Sequence, residues 1–130
     1  DPEVERAISV REIVALSYAA DRPAVDKLRE TAVASEDPAT RRAALSALAG
    51  IAGRQNLDLL IRSGLADPDQ SVRVEAARGI VRLMGDRGRT IVETAAARED
   101  DPSARDIMRR LARGETVERP ARRMSAGFRR

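Results

Sequence analysis

Cysteine and histidine are both missing from the 130 residues of this chain. Without cysteine there are no disulfides, no thiolate metal sites and no thiol nucleophile. Without histidine the chain also lacks the commonest general base and the commonest transition-metal ligand. Carboxylates, hydroxyls, one Lys and one Tyr are the chemistry that remains. That inventory argues against an enzyme, and neither a metal nor another cofactor is expected. Tryptophan is absent, and Tyr18 and Phe128 are the only aromatics. The core must therefore be built from Ala, Val, Leu and Ile, whose small side chains suit closely packed helices. No run of eighteen apolar residues exists, so no membrane-spanning helix is expected. Lys27 is the lone lysine beside many arginines, a bias that fits a GC-rich bacterial genome. The acidic opening "DPEVERAISV" does not resemble a signal peptide. The cytoplasm is thus the expected compartment, with export left open because the sequence begins without Met.

What the chain does contain is internal repetition. Asp-Pro occurs at Asp1-Pro2, Asp37-Pro38, Asp67-Pro68 and Asp101-Pro102. A shift of about 32 residues lays Arg41 on Arg73, Ala44 on Ala76, Leu48 on Ile80 and Gly53 on Gly85. The same shift aligns Leu28, Leu60 and Val92, and also Ala32, Gly64 and Ala96. One repeating element carries two neighbouring apolar stripes, Val72, Ala76, Ile80 and Leu83 beside Val74, Ala77, Val81 and Met84, as a helix buried on two sides does. The other is shorter and apolar on one face, through Leu57, Leu60, Ile61, Gly64 and Leu65 and again through Ile91, Val92, Ala95 and Ala96. Asp before Pro suits a helix start, and glycine suits its end. The pattern predicts helices near 3–20, 23–34, 38–52, 56–66, 70–85, 89–98 and 102–113. The expected core seam runs through Leu28, Leu48, Leu60, Ile80, Leu83 and Val92.

"DPDQSVRVEAARGIVRLMGD", "DPATRRAALSALAGIAG" and, in part, "DPSARDIMRRLARG" resemble the short HEAT-like repeats, including those of phycobilin lyases. The resemblance covers about residues 1–114 and implies an all-α fold. This would be an α-solenoid, a right-handed superhelix of antiparallel hairpins with about three and a half repeats. Residues 115–130 are expected to form a separate basic cap or arm. The signatures of ankyrin and tetratricopeptide repeats are missing.

The resemblance implies a structural ladder in which Asp caps a helix and Arg bridges to the next repeat, formed here by Asp37 and Arg41, Asp67 and Arg73, and Asp101 and Arg105. It also implies partner binding on the concave wall, where Lys27, Glu30, Asp58, Arg62, Arg89 and Glu93 would stand, with Asp26 and Arg98 beside them. Signs on that wall are mixed, which suits a protein surface better than a polyanion. Arg22, Arg54 and Arg87 form a thin basic edge. The adjacent Asp100 and Asp101 are read as a helix cap with an acidic neighbour.

Residues 1–104 hold 15 Arg and Lys against 18 acids, whereas residues 105–130 hold 9 Arg against 3 acids. The body is therefore mildly acidic and its end strongly basic. Arg119, Arg122, Arg123, Arg129 and Arg130 make this end a candidate polyanion-binding segment. As a cap it would lay Val117, Met124 and Phe128 over the last helix with its arginines pointing outward.

The leading expectation is a non-catalytic scaffold that binds a protein partner on its concave or end surface. The alternatives are nucleic-acid or other polyanion binding through the Arg-rich end and, least favoured, a phycobilin-lyase-like enzyme. A homo-oligomer formed through the solenoid end is compatible with each.

Overall fold

The computed structural model describes residues 9–51 and 53–119. Among these described residues seven helices follow one another: α1 (Val10–Ala19), α2 (Arg22–Ala34), α3 (Pro38–Gly50), α4 (Arg54–Leu59, continued by a π-helical turn over Leu60–Gly64), α5 (Gln70–Met84), α6 (Asp86–Arg98) and α7 (Pro102–Ala112). The described residues contain no strand. The helices pair as antiparallel hairpins, with a 32-residue step from α2 to α4 to α6 and from α3 to α5 to α7, and a step of 28 from α1 to α3. Thus α1, α3, α5 and α7 form a row of first helices in which each touches the next, and α2, α4 and α6 pack behind them. The fold is an all-α solenoid.

Local chemistry sets the helix starts. Ser9 and Glu12 form a capping box at α1, and Asp21, Asp37, Asp69 and Asp101 each accept a backbone N–H at the head of their helix. The cap of α5 is therefore Asp69, not Asp67, because the second aspartate of Asp67-Pro68-Asp69 is the one in register with Asp37 and Asp101. The first helix, predicted over 3–20, instead begins at Val10, because Ser9 is extended and caps it; residues 1–8 lie outside the described part. Two second helices begin earlier than periodicity suggested, α4 at Arg54 and α6 at Asp86. Gly85, at φ 60°, both ends α5 and opens α6, which leaves no room for a longer linker.

One continuous core links the hairpins. Leu28, Leu48, Leu60, Ile80 and Val92 are all fully buried, as the seam requires. Leu83 is not part of it and stays 39% exposed. At the end of α5 it is Met84 that packs against the core instead. The π turn in α4 coincides with a very close approach, since a Cβ on Gly64 would stand 2.5 Å from the Ala76 Cβ. Only glycine lets α4 press this closely on α5.

Candidate functional site

The arginines at the fourth residue after each aspartate cap build a repeated structure on the turns between hairpins. Arg41 grips Asp67 with both arms of its guanidinium, Nε to Oδ2 at 2.8 Å and Nη2 to Oδ1 at 3.0 Å, while its Nη1 donates to the Ser35 carbonyl at 2.8 Å. One repeat later Arg73 grips Glu99 at 2.8 and 2.7 Å and donates to the Asp67 carbonyl at 2.8 Å. Bidentate geometry of this kind is the strongest form of the Arg–carboxylate bond. Each carboxylate also accepts the N–H of the next helix cap, Asp69 N to Asp67 and Asp101 N to Glu99. The carboxylate of each rung thus sits two residues before the cap. Hydrogen bonding from Arg73 is the first cause holding the Glu99 carboxyl below its ordinary range. Asp67 and Glu99 are buried, and among the described residues no buried side-chain polar atom lacks a partner.

The Arg73–Glu99 rung also closes one end of a groove of about 550 Å³ between consecutive second helices. Half-buried Ile61 and Leu65, from the π turn and the residue after it, face half-buried Ile91 and Ala95 of α6, over Met108 of α7. Thr90, Thr94, Arg98 and Asp100 stand exposed around the rim. Both threonine hydroxyls donate back to carbonyls of their own helix, so each offers its lone pairs outward. Such a groove, apolar below and of both charges at the lip, is chemically suited to hold side chains of a peptide or helix.

The six residues expected on the concave wall do not converge here. Lys27 and Glu30 pair with each other at 3.4 Å on exposed α2. Asp58 and Arg62 are exposed on α4 and its π turn, and Arg89 pairs with Asp86. Glu93 lines a separate groove with Arg109 and Arg113 at the end of the stack. Arg98 does reach the rim, and Asp26 instead pairs with Arg29 at 3.6 Å. Of the basic edge, Arg22 and Arg54 open successive second helices, but the third equivalent position is Asp86, with Arg87 displaced by one. Asp101 caps α7, while its neighbour Asp100 is exposed on the groove rim. Sequence reasoning placed Ile61, Leu65 and Ile91 in the buried face and so missed the groove floor; the breadth of that apolar face, wider than one neighbour covers, was the available signal.

On the opposite side the chain after α7 returns across α5. The Val117 side chain packs on the core, and its carbonyl accepts from Arg78 Nη1. Arg119 then clasps Glu75, with Nε to Oε1 at 3.0 Å and a second bond from Nη2 to Oε2. Glu75 is itself 6% exposed. Arg119, expected to point outward as part of a basic surface, does stay 59% exposed but is also paired, because the buried Glu75 carboxylate on α5 needs a cation. Arg122, Arg123, Arg129 and Arg130, with Met124 and Phe128, lie outside the described residues. The described residues hold no group of three or more acidic side chains placed to bind a metal ion, and no described helix is long and apolar enough to cross a membrane.

The family model for HEAT repeats matches residues 1–80 and, overlapping, residues 25–112. No curated protein and no solved structure matches the chain.

Proposed function

This chain belongs to the HEAT-repeat family, whose repeats generally serve as protein-interaction scaffolds and are typically non-enzymatic, and from that premise we propose that it is a non-catalytic module holding a protein segment in the groove between α4 and α6. The observation that carries this reading is the groove floor: Ile61, Leu65, Ile91 and Ala95 remain partly open to solvent although a fully packed core runs directly beneath them. Apolar surface left in a walled channel favours an occupant with apolar side chains, and rim groups of both signs set its orientation. The ladder rung at one end makes that wall rigid, which reduces the cost of ordering on binding.

A photo-crosslinking residue placed at Thr94 tests this in cells of the source organism, with one at Arg82, exposed near the end of α5, as control. The expected result is a discrete protein adduct from position 94 that disappears when Ile91→Asp is added, and none from position 82. Equal adducts from both positions, or an adduct indifferent to Ile91→Asp, would overturn the groove as the binding surface.

A further inference from the structure

The ladder has a third arginine. Arg105 is held as Arg41 and Arg73 are, with Nη1 donating to the carbonyl six residues earlier, Glu99, at 3.0 Å. Its Nε and Nη2, which in the other two rungs take a carboxylate, have no acceptor among the described residues. Among the described residues, half of a rung is therefore built and oriented without an anion.

The helix that carries it differs from its equivalents. In α3 the stripe Arg41, Leu45 and Ala49 is buried, and in α5 Arg73, Ala77 and Val81 are buried or half-buried. The same three positions in the last repeat are Arg105 and Arg109 in α7 and Arg113 at its C-cap, with Arg109 and Arg113 exposed. Helical spacing of four places Arg105 and Arg109 on one face, a turn apart, and Arg113 follows at the end of the helix. Arg109 and Arg113 also line the groove shared with Glu93, Ala96, Ala97 and Ala112. Arg113 is engaged at 3.0 Å by Glu115, which Arg110 also holds at 3.1 Å, but all three side chains are about half exposed (59%, 42% and 42%), so a docking carboxylate competes with this cluster in open solvent. An apolar next repeat would have to bury Arg109 against its core, which this face rejects.

We propose that this end of the stack is a second docking surface, one that receives an acidic protein segment whose carboxylate completes the rung at Arg105 and whose further acids, one helical turn apart, meet Arg109 and Arg113. A carboxylate rather than a phosphate is the indicated ligand because the two completed rungs show what this guanidinium, held by the same carbonyl contact, accepts. Charge complementarity selects the remainder of the segment. This surface is distinct from the groove between α4 and α6, and the two stand or fall separately.

The test is fluorescence anisotropy of the full chain with a labelled helical peptide carrying glutamates one turn apart on one face. Saturable binding is expected, weakened about tenfold by Arg105→Lys, which keeps the charge but loses the fork. Binding should vanish in the triple variant Arg105→Ser/Arg109→Ser/Arg113→Ser and persist in Arg122→Ser/Arg123→Ser. Since Arg109 and Arg113 are exposed, Arg109→Ser/Arg113→Ser serves as the variant certain to retain the fold, and it should weaken binding as well. Native-like binding by Arg105→Lys, or by the triple variant, would overturn the proposal. So would a DNA duplex that engages the same three arginines more tightly than the peptide, since the surface would then be a phosphate site. Self-association abolished by Arg105→Ser would overturn it too, making a second copy of the chain the occupant.

Discussion

Helices α3 and α7 hold the same place in their repeats, begin with the same Asp-Pro and carry the same arginine four residues after the cap, yet one is covered on both sides and the other is not. The difference lies in the two turns that follow. Leu45 and Ala49 let α5 lie against α3, whereas Arg109 and Arg113 keep α7 facing water. A repeat's cap and ladder arginine thus set its backbone and its turn, while side chains further along decide whether the stack continues. Terminal repeats of solenoids need a polar outer face for this reason.

The largest expected loss lies at the first rung. Arg41→Ala leaves Asp67 buried without its cation and is expected to cost about 3–5 kcal/mol in urea unfolding, while Arg105→Ala loses one hydrogen bond to a carbonyl and costs about 1 kcal/mol. Equal losses would mean that the rungs do not hold the stack. Leu48→Ala, in the fully covered helix, should cost about 2–5 kcal/mol. Its equivalent in α7 is already alanine, Ala112, so α7 should lose amide protection before α3 and α5.

Acid sharpens the contrast further. The carboxyls of Glu99, Asp69 and Asp37 are all held below their ordinary values, by hydrogen bonds chiefly from Arg73, Ser71 and Thr40 respectively. With the folded pKa depressed, the unfolded chain binds more protons. Stability is therefore full above the ordinary values of 4.5 and 3.8 and is lost as pH falls through the lower folded values. Thermal melts across this range should show that limb, and Glu99→Gln should make it shallower.

Truncation after Gly114 removes Val117 and leaves Glu75 buried without Arg119, at an expected cost of about 1–3 kcal/mol, read as a lower melting temperature. The smallest effect on stability, within about 0.5 kcal/mol, belongs to Arg109→Leu/Arg113→Ala, which gives α7 the pattern of α3. Its signature is elsewhere: sedimentation should show association through the exposed apolar face.

Much of this architecture was legible in the sequence because it rests on local chemistry. Asp37, Asp101, Pro38 and Pro102 announce their helices, and the 32-residue step aligns Arg41 with Arg73 without any coordinates. The frame slipped where two aspartates compete: Asp67-Pro68 resembles the other starts, but the dipeptide is two residues early, and its aspartate is a rung rather than a cap. Contacts between distant residues left fainter traces. The π turn depends on how closely Gly64 meets Ala76, and a single-sequence pattern does not carry that distance. Arg119 finds Glu75 across 44 residues, and nothing in the local pattern of α5, where Glu75 lies beside Ser71 and Arg78, points to it. Periodicity showed which face of α6 is apolar, but not that its neighbour would leave Ile91 partly open.

One consequence of the ladder is mechanical. Ser35, Arg41, Asp67, Arg73, Glu99 and Arg105 are joined in an unbroken series of carbonyl and carboxylate contacts running along the inter-hairpin turns. Bidentate and carbonyl bonds of this kind resist stretching along that edge. Flexing of the stack is therefore expected to pivot about it, the far ends of the hairpins spreading or closing like the leaves of a fan while the turns keep their spacing.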